Sequence, residues 1–262
     1  MKSVKNIIRF LLNKFGLKII RSKHYTQMSM YEPSHRILSI LNFSGGGGDS
    51  NSLNDILKIR HLSKSQLSQD MFILTYLGFK RDGYFVEFGA TNGVGLSNTW
   101  LLEKEFGWKG ILAEPSKNWH EELSNNRSCY IENKAVWIKS DETLTFLECT
   151  GPELSTIADF RNIDSHSRKG KTYEVETISL EDLLDKYDAP NVIDYLSIDT
   201  EGSELDILSN FDFEKFKFRV ITVEHNFTEN RQKINQLLSS KGYKQVLESI
   251  SSFDDWYILQ SL

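Results

Sequence analysis

The sequence holds two cysteines in 262 residues, Cys129 and Cys149. That excludes a disulfide framework and a Cys-x-x-Cys metal pair. Both sit among apolar neighbours and read as reduced core residues of a cytoplasmic protein. No run of ~18 apolar residues occurs, so no membrane-spanning helix is expected. Positive charge is in deficit: 31 Lys and Arg stand against 36 Asp and Glu, which argues against nucleic acid as a partner. No internal repeat is visible. The glycine run at 45–48 is not followed by Gly-Lys-Ser/Thr, so it reads as a linker rather than a phosphate cradle. A dinucleotide fingerprint, Gly-x-Gly-x-x-Gly, is also missing. Counted from Gly89, Thr91 and Val94 stand where the second and third glycines belong. Counted from Gly93, Asn98 takes the last place. Both registers disfavour an NAD-dependent oxidoreductase.

The stretch from 83 to 106 supplies what the fingerprint does not. Tyr84 to Phe88 is aromatic and β-branched and reads as a strand. A turn with Gly89, Gly93 and Gly95 follows, and Ser97 and Asn98 stand where they could cap a helix reaching Phe106. Glycines admit close approach of backbone N–H groups, and a helix N-terminus carries positive partial charge. The pattern is Glu87-x-Gly89-x-x-x-Gly93-x-Gly95, with an acid inside the strand. Such an acid suits a ligand with a cationic end better than a pyrophosphate. S-adenosylmethionine has an ammonium, a sulfonium and no phosphate. A second strand, Trp108 to Leu112, ends in Glu114-Pro115, where an acid can accept from both ribose hydroxyls. The candidate cofactor residues are Glu87, Gly89, Ala90, Asn92, Gly93 and Asn98, then Glu114 and Pro115. Ala135 is added as a small residue against which adenine could pack.

The segments Gly83-Tyr-Phe-Val-Glu87-Phe-Gly89, Ser97-Asn98-Thr99, Leu102-Glu103, Gly107-Trp108-x-Gly110-Ile111 and Glu114-Pro115 resemble the FkbM-type methyltransferases. So do Gln69-Asp70 upstream and Ile198-Asp199-Thr-Glu201-Gly202-Ser-Glu204 downstream. The resemblance covers roughly residues 64 to 260. It implies a class I methyltransferase fold, S-adenosylmethionine as donor, and a sugar or glycan hydroxyl as acceptor. Asn92 departs from the family, which more often has Asp before the glycine.

Further along, strands and helices alternate, so the fold class is α/β: a doubly wound, mostly parallel seven-stranded sheet with an antiparallel pair at one edge. Cys129 to Trp137 reads as the third strand, Asn191 to Ile198 as the fourth and Arg219 to Val223 as the fifth. Residues 150–172 lack periodicity and read as a long loop near the substrate. Two domains are expected: an N-terminal extension, 1–62, and the catalytic domain, 63–262. Residues 25–60 read as a loosely structured approach. Residues 1–24 carry seven Lys or Arg and no acid, with Val4, Ile7, Ile8, Leu11, Leu12 and Phe15 at helical spacing. They could pack on their own domain, dock on a partner, or lie on the inner membrane face.

In doubly wound sheets ligands sit beyond the carboxyl ends of the strands. Asp199, Glu201 and Glu224 occupy such ends, and His225 and Asn226 follow. Two mechanisms stay open. Asp199, Glu224 and Asn226 are hard oxygen ligands that suit Mg²⁺. Alternatively His225 or Asp199 serves as general base without a metal, with Glu201 nearby as either a catalytic or a helix-capping acid. The rival to an enzyme is a non-catalytic Rossmann-like binding module, anchored by the basic N-terminus.

Overall fold

The computed structural model describes residues 33–45 and 50–261. Its first strand, β1 (Tyr84–Phe88), sends alternate side chains to opposite faces. Phe85 joins the core on one face, and Val86 and Phe88 join the core on the other. A strand apolar on both sides must be covered on both. On one face lie α1 (Pro33–Phe43), α2 (Ser50–Ile59), α3 (Gln69–Tyr76) and α4 (Trp100–Phe106), which contribute Ile40, Ile56, Phe72 and Leu101. The other face receives Leu184, Leu208 and Leu238 from α6 (Leu180–Lys186), α7 (Glu204–Ser209) and α8 (Asn230–Ser240). Each such side chain, fully buried, stabilises the fold by ~1.5–3 kcal/mol.

β2 (Lys109–Ala113), α5 (His120–Asn126) and β3 (Tyr130–Glu132) complete the first half of the sheet. β8 (Val192–Ile198), β9 (Lys217–Glu224), β10 (Tyr243–Val246), α9 (Glu248–Ser251) and β11 (Asp254–Leu259) complete the second. The strand order is β10-β11-β9-β8-β1-β2-β3, with β11 antiparallel to both neighbours and the rest parallel. The chain therefore winds outward from β1, then returns to wind outward from β8. The switch between those two strands is where a ligand crevice forms.

Between the halves lies a second sheet, in the order β4-β7-β5-β6. It comprises β4 (Ala135–Trp137), β5 (Thr143–Cys149), β6 (Thr156–Ile157) and β7 (Gly170–Ser179). The expected single strand from Cys129 to Trp137 is thus two strands in two sheets. The backbone turns at Asn133-Lys134, where the Lys134 N–H donates to Glu132 Oε1 at 3.1 Å. The expected loop at 150–172 holds β6, two 3₁₀ turns and the start of β7.

Residues 33–62 are not the loose approach that their composition suggests. Ile37, Ile40, Leu41 and Ile56 are buried in the same core as β1, and Arg36 Nε donates to Ile250 O at 3.2 Å. Apolar spacing in α1 and α2 drives this docking. The expected helix within 1–24 and most of the glycine run lie outside the described residues. Among those described, no helix is long and apolar enough to cross a membrane.

Candidate active site

The ends of β1, β2 and β8 open into a cleft lined by Glu87, Gly89, Glu114, Asp199 and Asp254. One half lies over β1 and β2. Gly89, at φ +73°, begins the turn there, and a Cβ on it would stand 2.0 Å from the Asp199 backbone oxygen. No other residue type fits this approach. Glu87 is buried beneath the turn. Its Oε1 accepts from the Asn98 N–H at 2.7 Å, and its Oε2 accepts from the Ser97 and Thr99 hydroxyls. The cation nearest to it is Arg127, at 3.9 Å. The acid expected to meet a ligand's ammonium lines the cleft and also holds the turn together.

Asn98 lines the cleft beside Glu87. Its Nδ2 donates to Ser197 Oγ at 2.9 Å, while its buried Oδ1 has no partner. It does not cap α4. Thr99 stands at its N-cap position, and Ser97 Oγ accepts from the Trp100 N–H at 3.1 Å. Glu114 ends β2 with each carboxylate oxygen accepting one backbone N–H, from Ser116 and Thr91, both at 2.8 Å. A carboxylate oxygen has a second lone pair, so ribose hydroxyls can still be accepted. Burial pushes this carboxyl up to about 7, against the two N–H groups that hold it down. The glycine cradle, the orphaned Asn98 oxygen and Glu114 fit S-adenosylmethionine.

Pro115 and Ala135 also line the cleft, whereas Ala90, Asn92 and Gly93 do not. Ala90 is buried in the core. Asn92 folds its Oδ1 back onto the Val94 and Gly95 N–H groups, which is turn chemistry. Gly93, at φ +76°, makes room for Leu123 and Arg127.

The other half lies over β8, β9 and the start of β11. Register pairs Ile198 with Val223, so Asp199 and Glu224 follow side by side. Their carboxyls hydrogen-bond each other, and burial drives both well above the ordinary carboxylate range; next in size are the Glu201 charge on Asp199 and the Asp199 charge on Glu224. The pair accordingly shares a proton. Glu201 is buried, at φ +60°, and meets the Arg168 guanidinium. It does not cap α7; Glu204 caps the turn, accepting from the Thr200 and Gly202 N–H groups at 2.9 and 3.0 Å.

His225 does not line the cleft. It is buried, its Nδ1 accepts from the Phe227 N–H at 3.0 Å, and its Nε2 lies 3.5 Å from Asp255 Oδ1. His225 is therefore not placed to act as a base at the cleft. Asn226 turns its Nδ2, not its oxygen, toward Glu201 Oε2 at 3.5 Å. The expected ion ligands Asp199, Glu224 and Asn226 are thus replaced by Asp199, Glu201 and Glu224, whose oxygens lie within 4.8 Å of one another. Three hard donors fit a divalent cation, although Arg168 already supplies positive charge at Glu201.

Two cleft residues carry no motif of their own in the sequence, Asp254 and Thr91, nor does Arg127, buried beneath the turn; Gln69 belongs to a family motif without a role. Gln69 and Asp254 line the cleft and bond to each other. The acid pair Asp254-Asp255 at the head of the closing strand was the available signal.

Residues 87–245, more than half of the chain, match the family model of the methyltransferase FkbM domain. No curated protein matches the chain. Among solved structures, it is similar to the ribosomal protein L11 methylase of Lactobacillus delbrueckii subsp. bulgaricus, at 11% identity over 72% of this chain and 74% of that one, with a TM-score of 0.38. It is also similar to a selenomethionine-substituted CurJ carbon methyltransferase, at 12% identity over 93% of this chain and 72% of that one, with a TM-score of 0.35. Likenesses this distant add nothing to the assignment, which rests on the family match and the strand order. That match runs from the end of β1 into β10: the chain belongs to the FkbM methyltransferase family and is an S-adenosylmethionine-dependent methyltransferase of the class I fold.

Proposed function

We propose that the enzyme is an O-methyltransferase acting on a hydroxyl of a sugar or glycan. The observation that carries this reading is the acid wall of the second half of the cleft, where Asp199, Glu201 and Asp254 line the space beside Gln69 and Thr222. Many hydrogen-bond acceptors suit a neutral molecule rich in O–H donors and disfavour an anion. Bound S-adenosylmethionine supplies a methyl group on a positively charged sulfur. Glu114 would hold its ribose, Asn98 its ammonium, and the acid wall would orient the acceptor oxygen toward the methyl carbon.

Release of S-adenosylhomocysteine by the purified full chain, with a panel of methyl glycosides, tests the reading. Stimulation by at least one glycoside is expected. Stimulation by amines or thiols and by no glycoside would overturn it, and binding without any release would favour a non-catalytic module. The cluster of Asp199, Glu201 and Glu224 supports a second reading, in which Mg²⁺ lowers the pKa of the acceptor hydroxyl. EDTA-insensitive release argues against that version. We also infer a cytoplasmic enzyme that touches an anionic membrane face through residues 1–24, whose seven basic residues would each contribute ~1 kcal/mol near the surface. Equal, salt-insensitive co-sedimentation with liposomes, with and without that segment, would refute this.

A further inference from the structure

Because β11 runs antiparallel to β9, its first residue lies at the same edge as the last residues of the parallel strands. That residue is Asp254, the register partner of Glu224. Its exposure is 5%, and it lines the cleft. Oδ2 accepts a 2.7 Å hydrogen bond from Gln69 Nε2. Gln69 opens α3, is itself buried, and is fixed by the Leu67 N–H donating to its Oε1 at 2.9 Å. The carboxylate is therefore held in one orientation by a neutral amide.

The other buried acids of the cleft are committed elsewhere. Glu87 holds the turn, and Glu114 takes two backbone N–H groups in the cofactor half. Glu201 is paired with Arg168, and Asp199 lies against the Glu224 carboxyl. Among the described residues of the acceptor half, Asp254 is the buried lining acid that no cation and no second carboxyl hydrogen-bonded to it engages.

We propose that Asp254 is the catalytic base that takes the acceptor hydroxyl's proton, with Gln69 as the positioning residue that aims it. The inference rests on the O-methyltransferase reading, not on the acceptor being a sugar. In the step, a lone pair of the acceptor oxygen forms the C–O bond to the methyl carbon as the C–S bond breaks. The sulfur keeps that bonding pair and becomes a neutral thioether, and the hydroxyl proton passes to Asp254. Burial pushes the Asp254 carboxyl up to about 6, with the Gln69 hydrogen bond pulling it back. A carboxylate fixed by one neutral amide and facing the cleft is placed to accept a proton in the transition state. The groups facing it are His225 after β9, Asp255 and Trp256 on β11, and Asp199 after β8.

The test measures S-adenosylhomocysteine release from S-adenosylmethionine with methyl glycosides and with water alone, in wild type, Asp254→Asn and Gln69→Leu. Asp254→Asn should slow release ~10²–10⁴-fold while calorimetric affinity for S-adenosylhomocysteine stays unchanged. Gln69→Leu should move the acid limb of the pH–rate profile to higher pH, because losing the hydrogen bond raises the base's pKa. A merely structural Gln69 would leave that limb in place. A near-wild-type rate in Asp254→Asn overturns the proposal. So does a loss of S-adenosylhomocysteine affinity in that variant, which would put Asp254 in the cofactor half. Inert glycosides with a slowed water reaction would sink the sugar reading and leave the base standing. Methylated glycosides with an unslowed variant would do the reverse. No release by wild type in either arm overturns both.

Discussion

In the cofactor half of the cleft, both oxygens of Glu87 and of Glu114 are met by N–H groups or hydroxyls of the surrounding turns. In the acceptor half, Asp199 and Glu224 meet each other, with Glu201 beside them. The first set of acids is stabilised where it stands, and the second is held against its own repulsion. A preorganised half suits a ligand that is the same in every turnover. A half under electrostatic strain suits a reaction in which a proton has to move.

The largest effect should come from removing what supports the satisfied half. Arg127 has a fully buried side chain that donates to Glu103 at 2.7 Å, to the Gly93 carbonyl at 3.1 Å and to the Thr99 hydroxyl at 2.9 Å. Arg127→Ala leaves Glu103 with only Lys104 as a cation and the Gly93 carbonyl and Thr99 hydroxyl without their buried donor, and should cost ~3–5 kcal/mol. Urea unfolding checks it, with the midpoint falling at unchanged slope. A loss below ~1 kcal/mol, the range of surface pairs, would mean that this half is not braced as described. Next, Glu114→Ala should weaken S-adenosylhomocysteine binding by ~1.5–3 kcal/mol in calorimetry. Unchanged affinity in a folded variant would remove Glu114 from the site.

Those two residues differ in how far the sequence revealed them. Glu114 lies on the strand next to Glu87, a short chain distance away, and the spacing of a βα unit announces it. Arg127 acts through contacts set by the return of α5 to the turn, for which no motif exists. Gln69 and Asp254 are 185 positions apart and become neighbours when β11 inserts beside β9. His225 was misplaced for a local reason that the sequence did contain. Successive residues leave a strand on opposite sides, so a Glu224 that reaches Asp199 turns His225 away. The docking of α1 and α2 was hidden by the glycine run, whose composition says linker while the flanking Ile37, Ile40 and Ile56 say core. The doubly wound, mostly parallel seven-stranded sheet with its antiparallel edge pair was legible, because alternating strands and helices permit few windings.

A smaller effect sharpens the division inside the cofactor half. Asn98→Ala should weaken S-adenosylhomocysteine by about 1.5 kcal/mol, the value of one hydrogen bond to a charged donor. It should leave 5′-methylthioadenosine unaffected, since that ligand lacks the amino-acid end. Equal losses for both ligands would mean that Asn98 acts through the turn and not on the ammonium.

The smallest effect has the opposite sign. Asp199 has a folded-state pKa raised by burial and then by Glu201, so the folded protein holds this proton more tightly than the unfolded chain does. Below an unfolded pKa of about 3.9 both states are protonated and the contribution is complete. As pH rises past that value the unfolded chain releases its proton first, and stability falls until the folded group also titrates. Asp199→Asn removes the titration and relieves Glu224 as well. The variant should therefore match wild type near pH 4 and exceed it by about 1 kcal/mol at pH 8, while losing turnover. Urea midpoints at the two pH values decide the matter. An offset that is constant with pH would show a packing change rather than released repulsion. A divalent ion between the acids predicts one more difference: Mg²⁺ then raises the wild-type midpoint at pH 8 and leaves Asp199→Asn where it was.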